Sequence, residues 1–203
     1  MMQRVARFGF VLIAGLMCLS PGGAEAAPGP SDVVRNFYGE LLNVMQNAPA
    51  LGVKGRYQKL EPLVLATFEV PFMTRLSVGP LWAGLPAEQK QGASQAFARY
   101  IAATYATRFD DFSGEQFPIL GEQQTEHGTI VKTQLVKSDG EKVPINYALH
   151  DNDTAWQIRD VYLAGTISEL ATRRSDFTAT LRSGGIEALI LRLNKKVDDL
   201  IIG

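Results

Sequence analysis

The residues with most chemical capacity in this 203-residue chain lie between Trp156 and Leu193, where a strand pattern runs into a helical one. Trp156 and Ile158 alternate with Gln157 and Arg159, which puts Asp160 on the apolar side of the strand. After Gly165 the period becomes helical, with Ile167, Leu170, Ala171, Arg174, Phe177 and Leu181 in one stripe. Asp160 and Arg174 are therefore both expected on inward faces, where an unpaired charge is costly. Two arrangements meet that cost: an internal Asp160–Arg174 ion pair holding the helix on the sheet, or an arginine kept for the anionic head of a ligand.

Other catalytic chemistry is thinly provided. The two histidines, His127 and His150, fall in or beside predicted hairpin turns, and neither has the spacing of H-E-x-x-H. His150-Asp151-Asn152-Asp153 gathers a histidine and two carboxylates, as a metal site or as a hairpin whose Asp and Asn bond their own backbone. Gly165-Thr166-Ile167-Ser168 lacks the spacing of a nucleophile elbow, and no phosphate-cradling glycine loop is present. The expectation is no metal, no cofactor and no enzyme. Against it stands Asp160, whose apolar neighbours would raise its pKa as a general base.

The elements that must position these residues can be read in order. Ser31 is expected to cap a helix carrying Val33, Val34, Phe37, Tyr38, Leu41, Leu42 and Met45, ended by Asn47-Ala48-Pro49. A second helical piece covers Gly52 to Leu60, with Lys54, Arg56 and Lys59 as its basic positions. Short helices broken at Pro62 and Pro71 follow, and a long helix runs from Pro86 to about Asp110. Period-two patterns then predict four strands, 117–122, 129–137, 143–150 and 154–163, and Gly184-Gly185 divides two final helices. The third strand alternates most clearly, with Val143, Ile145, Tyr147 and Leu149 on one face. The predicted class is α+β: a four-stranded antiparallel sheet wrapped by helices, like the NTF2-like cone, with an apolar cavity between sheet and helices.

Residues 1–26 read differently. Arg4 and Arg7, an apolar run from Phe8 to Leu19, and Ala24-Glu25-Ala26 have the form of a secretory signal peptide, leaving 27–203 as a single domain. Cleavage there would remove Cys18, the one cysteine, so no disulfide or thiol chemistry is expected. A formal net charge of -1 gives no basic nucleic-acid footprint.

The runs W156-Q-I-R-D160-V161, G165-T-I-S168 and R174-S-D-F177, with MTRLSVGPLW (Met73 to Trp82) and the helix Gln95 to Gly114, resemble the Mla-type periplasmic lipid carriers, the MlaC or toluene-tolerance auxiliary component family. The variants TRLSVGPLW and GTISELATRRSDF are most similar to its hopanoid-biosynthesis-associated HpnM branch. The resemblance implies a soluble periplasmic protein that carries a hopanoid or phospholipid between inner-membrane and outer-membrane transport components. The residues expected to line its cavity are Phe72, Leu76, Leu81, Trp82, Ile101, Tyr105, Tyr147, Leu149, Val161, Leu163 and Ile167. Asp160 and Arg174 then serve as a structural pair or as head-group contacts. The alternatives are an NTF2-like isomerase using Asp160 as base, and a periplasmic module that binds another protein's helix.

Overall fold

A computed structural model of the chain describes residues 27–202, so the predicted signal peptide lies outside the described residues. Helix α1, Pro30–Gln46, is capped at Gly29, two residues before the predicted cap Ser31. Pro30 occupies the first turn, where its missing N–H is no loss, and the Gly29 N–H donates to Asp32 Oδ2 at 3.1 Å. Ser31 is therefore not the cap; its N–H donates to Glu122 Oε1.

Helix α2, Ala48–Thr67, is broken at Gly52, and α3, Val70–Val78, follows after a two-residue extended step. That step joins the sheet: Phe68 bridges to Ile158, and the Glu69 N–H donates to the Ile158 carbonyl at 2.9 Å. A 3-10 turn, Gly79–Gly84, leads to α4, Ala87–Arg108. Arg56, one of the basic positions of α2, is buried. It donates from Nε to the Ala106 carbonyl in the last turn of α4, at 2.8 Å, and from Nη1 to the Ala48 carbonyl. The Ala106 carbonyl, at a helix C-terminus, has no helical partner and carries partial negative charge, so it receives this guanidinium.

The sheet is an antiparallel meander of β1 Ile119–Thr125, β2 Gly128–Val136, β3 Lys142–Asp151 and β4 Trp156–Leu163. A fifth strand, β5 Ile167–Ser168, pairs with β4 and corrects the predicted four. Two residues are too few for a periodic signal. Helix α5, Glu169–Ile202, closes the chain and is broken at Gly185, within the predicted Gly184-Gly185 junction. Among the described residues, no helix is long and apolar enough to cross a membrane.

One face of the sheet packs on the helices. Thr129, Val131 and Thr133 of β2 lie opposite Leu149, Tyr147 and Ile145 of β3 on that face, and α1 lays Phe37, Tyr38 and Leu41 against them. The Phe37 ring meets Phe68, Tyr105 and Tyr147 edge-on, at centroid distances of 5.3, 5.4 and 6.2 Å.

The register breaks once between β3 and β4. Leu149 opposes Ile158, yet Ala148 opposes Asp160, so Arg159 is an extra residue in the ladder. Past this bulge Val161 and Leu163 join Tyr147 and Ile145 on the helix-covered face, and Asp160 turns to the other. A slip of one residue exchanges the faces because side chains alternate with period two.

The β1–β2 hairpin depends on Gly128, whose φ is +134° and where a Cβ would collide with the Leu149 carbonyl. Gly128→Ala is expected to destabilise the fold by at least about 2 kcal/mol through strain and displaced ladder backbone, read as a lowered urea midpoint. A midpoint within error of wild type would show that the hairpin turns without this contact.

Candidate functional site

Between the inner face of the sheet and helices α4 and α5 lies a pocket of about 110 Å³. Its floor is Ile145 and Tyr147 of β3 and Val161 and Leu163 of β4, and its helical wall includes Ile101, Tyr105, Phe109 and Leu170. Tyr100, Thr104, Arg108, Glu169 and Arg173 supply polar atoms around it. This volume is a fraction of the ~300–1,000 Å³ typical of sites for drug-sized ligands. It is not the lipid-sized cavity expected from the sequence.

The pocket contains three neutral phenols at its base or beside it. Tyr38 donates to Thr133 Oγ1 at 2.6 Å, because the Thr133 hydroxyl itself donates to the Ile145 carbonyl. Burial pushes the Tyr38 hydroxyl up to about 12 and raises Tyr105 and Tyr147 as well, so all three stay uncharged at physiological pH. Tyr105 also stacks on Phe109 at 5.5 Å. The result is an apolar floor with polar but uncharged tips.

Charge is confined to the rim. Arg173 is held by Glu169 at 2.7 Å, approaches Asp176 at 3.4 Å, and lies over the Tyr100 ring at 5.3 Å. Arg108, in the last turn of α4, has no ion pair or side-chain hydrogen bond among the described residues. It is the rim cation free to meet an anion.

The predicted lining set divides. Ile101, Tyr105, Tyr147, Val161 and Leu163 come together in the pocket. Leu149 is buried in the core, while Phe72 and Leu76 face a second depression on the opposite, outer face of the sheet. Leu81 and Trp82 sit on the 3-10 turn and border neither space; Leu81 is exposed and Trp82 is half-buried against the core. Ile167 is 56% exposed, because it belongs to β5 and not to the stripe of α5.

The proposed Asp160–Arg174 pair does not form. Asp160 accepts from the Val161 N–H at 2.8 Å, the Ser168 hydroxyl at 2.6 Å and the Leu170 N–H at 3.1 Å, which makes it the acceptor for the start of α5. Burial raises its pKa, and those three hydrogen bonds oppose the rise. Arg174 is exposed and lies over Gly79, where a Cβ would sit 3.4 Å from Nη2. Arg173, one residue earlier, is the arginine turned to the pocket.

The His150–Asp153 run forms its turn: Asp151 Oδ1 accepts from the Asp153 N–H, and Asn152 Oδ1 from the N–H groups of Thr154 and Ala155. Among the described residues, no group of three or more histidine, cysteine or acidic side chains is placed to hold a metal.

The MlaC protein family model matches residues 35–195 of this chain. The chain belongs to that family. No curated protein matches it. A solved structure of similar fold is the phospholipid-binding protein from Ralstonia solanacearum, in complex with a phospholipid; it is 19% identical, with a TM-score of 0.72 over 85% of this chain and 99% of that one. The family match, residues 35–195, takes in both the sheet and the helices that form the pocket.

Because Asp160 and Arg174 have separate partners, their effects should add. Asp160→Ala is expected to cost about 2 kcal/mol by stranding the Leu170 N–H and the Ser168 hydroxyl, and Arg174→Ala less than about 0.5 kcal/mol. Denaturant melts of both single variants and the double variant measure this. A coupling above about 1 kcal/mol would restore the ion pair.

Proposed function

We propose that this protein binds a phospholipid and carries it through the periplasm between transport components of the inner and outer membranes. The observation that carries this reading is the juxtaposition of an apolar pocket, floored by Tyr147, Val161 and Leu163, with an unpaired arginine at its rim, Arg108. Acyl chains would enter between sheet and helices, and the phosphate would stay at the rim. Leaving a chain in water costs about 0.8 kcal/mol per CH₂, so a lipid crossing an aqueous space needs such a container. The phospholipid in the Ralstonia protein of similar fold supports the same reading.

The pocket's small volume belongs with this function if it opens on loading. Its β4 floor passes to its α5 wall through β5, a two-residue strand whose few contacts a ligand can part. The tyrosine tips at its base need no counter-ion and tolerate an apolar chain alongside.

A hopanoid cargo, favoured by the variants resembling the HpnM branch, would lie against an aromatic and branched wall such as Phe72, Leu76, Trp82 and Tyr105. These four are spread over the outer face, the 3-10 turn and the inner pocket, which favours the phospholipid. The protein is also best read as having no enzymatic activity, since the carboxylate of Asp160 is engaged at the start of α5 and faces away from the pocket.

Organic extraction and mass spectrometry of protein purified from a Gram-negative periplasm should recover phospholipid in stoichiometric amount. Arg108→Glu should weaken binding of an anionic phospholipid about tenfold, close to 1.4 kcal/mol, without lowering the melting temperature. Competition against a fluorescent lipid probe distinguishes cargo: displacement by a hopanoid but not by diacyl phospholipid would overturn the assignment. Recovery of no lipid, with turnover of a steroid-like ketone, would favour the isomerase reading.

A further inference from the structure

On the face of the sheet opposite α1 and α4 lies a groove of about 770 Å³, several times larger than the inner pocket. It is bordered by Ile130 of β2, Ala148 of β3, Tyr162 of β4, and Phe72 and Leu76 of α3. Leu76 is 40% exposed there. We propose that this groove is the second half of the lipid site, and that it receives an acyl chain passing from the inner pocket beside Leu170.

The inference rests on the carrier reading and deepens it. Room is the first reason, since the inner pocket falls well short of the ~300–1,000 Å³ of ordinary ligand sites and the groove lies within that range. Continuity is the second. Leu170 borders both spaces, so they approach each other at the start of α5. Its N–H is held by Asp160 Oδ1, and the neighbouring Ser168 hydroxyl by Asp160 Oδ2. The partition is thus pinned by one carboxylate and by β5, only two residues long.

Charge decides which part of a lipid goes where. The arginine bordering the groove, Arg159, is engaged by Glu69 and lies over the Phe72 ring at 4.1 Å, so it is not offered to a phosphate. The unpaired Arg108 belongs to the inner pocket. A phosphate therefore stays at the inner rim while an apolar chain extends outward across Phe72, Leu76 and Tyr162. Of the polar groups of the groove, Glu126, His127, His150 and Asp151 gather at the hairpin end, while Arg159 and Asp160 lie beside the path with their charges engaged, the first by Glu69 and the second by Ser168 and the Leu170 N–H.

A bimane fluorophore on Ala148→Cys, with Cys18→Ser, reports on the groove. Loading with phosphatidylglycerol brominated along its acyl chains should quench it in proportion to the lipid counted by mass spectrometry in the same sample. Bound lipid without quenching would overturn the outer subsite and leave the carrier reading standing; no bound lipid would overturn both.

A lock tests the path itself. Tyr162 and Ser168 are register partners, and such neighbours, ~4.5–5.5 Å apart between Cα atoms, fall within the range of a disulfide. Tyr162→Cys with Ser168→Cys should load less lipid when oxidised than the same protein does when reduced. Equal loading in both states would show that the partition need not open.

Discussion

The pairing of β3 with β4 slips by one residue at Arg159, and most of what surrounds the pocket follows from that slip. Without it, strict alternation along β4 would place Asp160 against the aromatic core and turn Val161 and Leu163 to the other face. With it, the core receives two aliphatic side chains and the carboxylate is turned to where the N–H of Leu170 and the hydroxyl of Ser168 can satisfy it. The same atoms fix where α5 begins, and hence which face of α5 covers the sheet. Desolvation of Asp160 is tolerated because three donors compensate it, which explains a buried acid with no cation beside it.

Two buried charged side chains are thus held without opposite charges. Asp160 meets the donors at the start of one helix, and Arg56 meets the carbonyl of Ala106 near the end of another. In both cases unpaired backbone groups at a helix end replace a counter-ion. Free ionic contacts remain for the rim, where Arg173 is tied to Glu169 and Arg108 has no such tie among the described residues. An apolar floor, neutral phenols and one available cation form a surface suited to an amphipathic molecule whose only charge lies at its end.

The sequence was most informative where period and length agreed. The alternation of β3, the run of α1, the extent of α4 and the break before Ile186 were all legible, because each involves many residues facing one way. Five of the lining residues, Ile101, Tyr105, Tyr147, Val161 and Leu163, were legible for the same reason. A bulge is different: one inserted residue leaves no mark on the pattern, so Asp160 was assigned to the wrong face. The choice between Arg173 and Arg174 was lost similarly. Both lie three or four residues from Leu170 and Phe177, and counting Ile167 into the helix favoured Arg174, whereas Ile167 is a strand residue. Phe72, Leu76, Leu81 and Trp82 are close in sequence, but α3 and the 3-10 turn direct them to different surfaces.

The account places a lipid chain against the inner face of the sheet, on the floor that the bulge creates. A phospholipid carrying a photoreactive diazirine on one acyl chain, activated after loading and mapped by peptide mass spectrometry, addresses that directly. Adducts on Tyr105, Tyr147, Val161 or Leu163 are the predicted result. Efficient labelling confined to the exposed turn around Leu81, with none on those four residues, would contradict it.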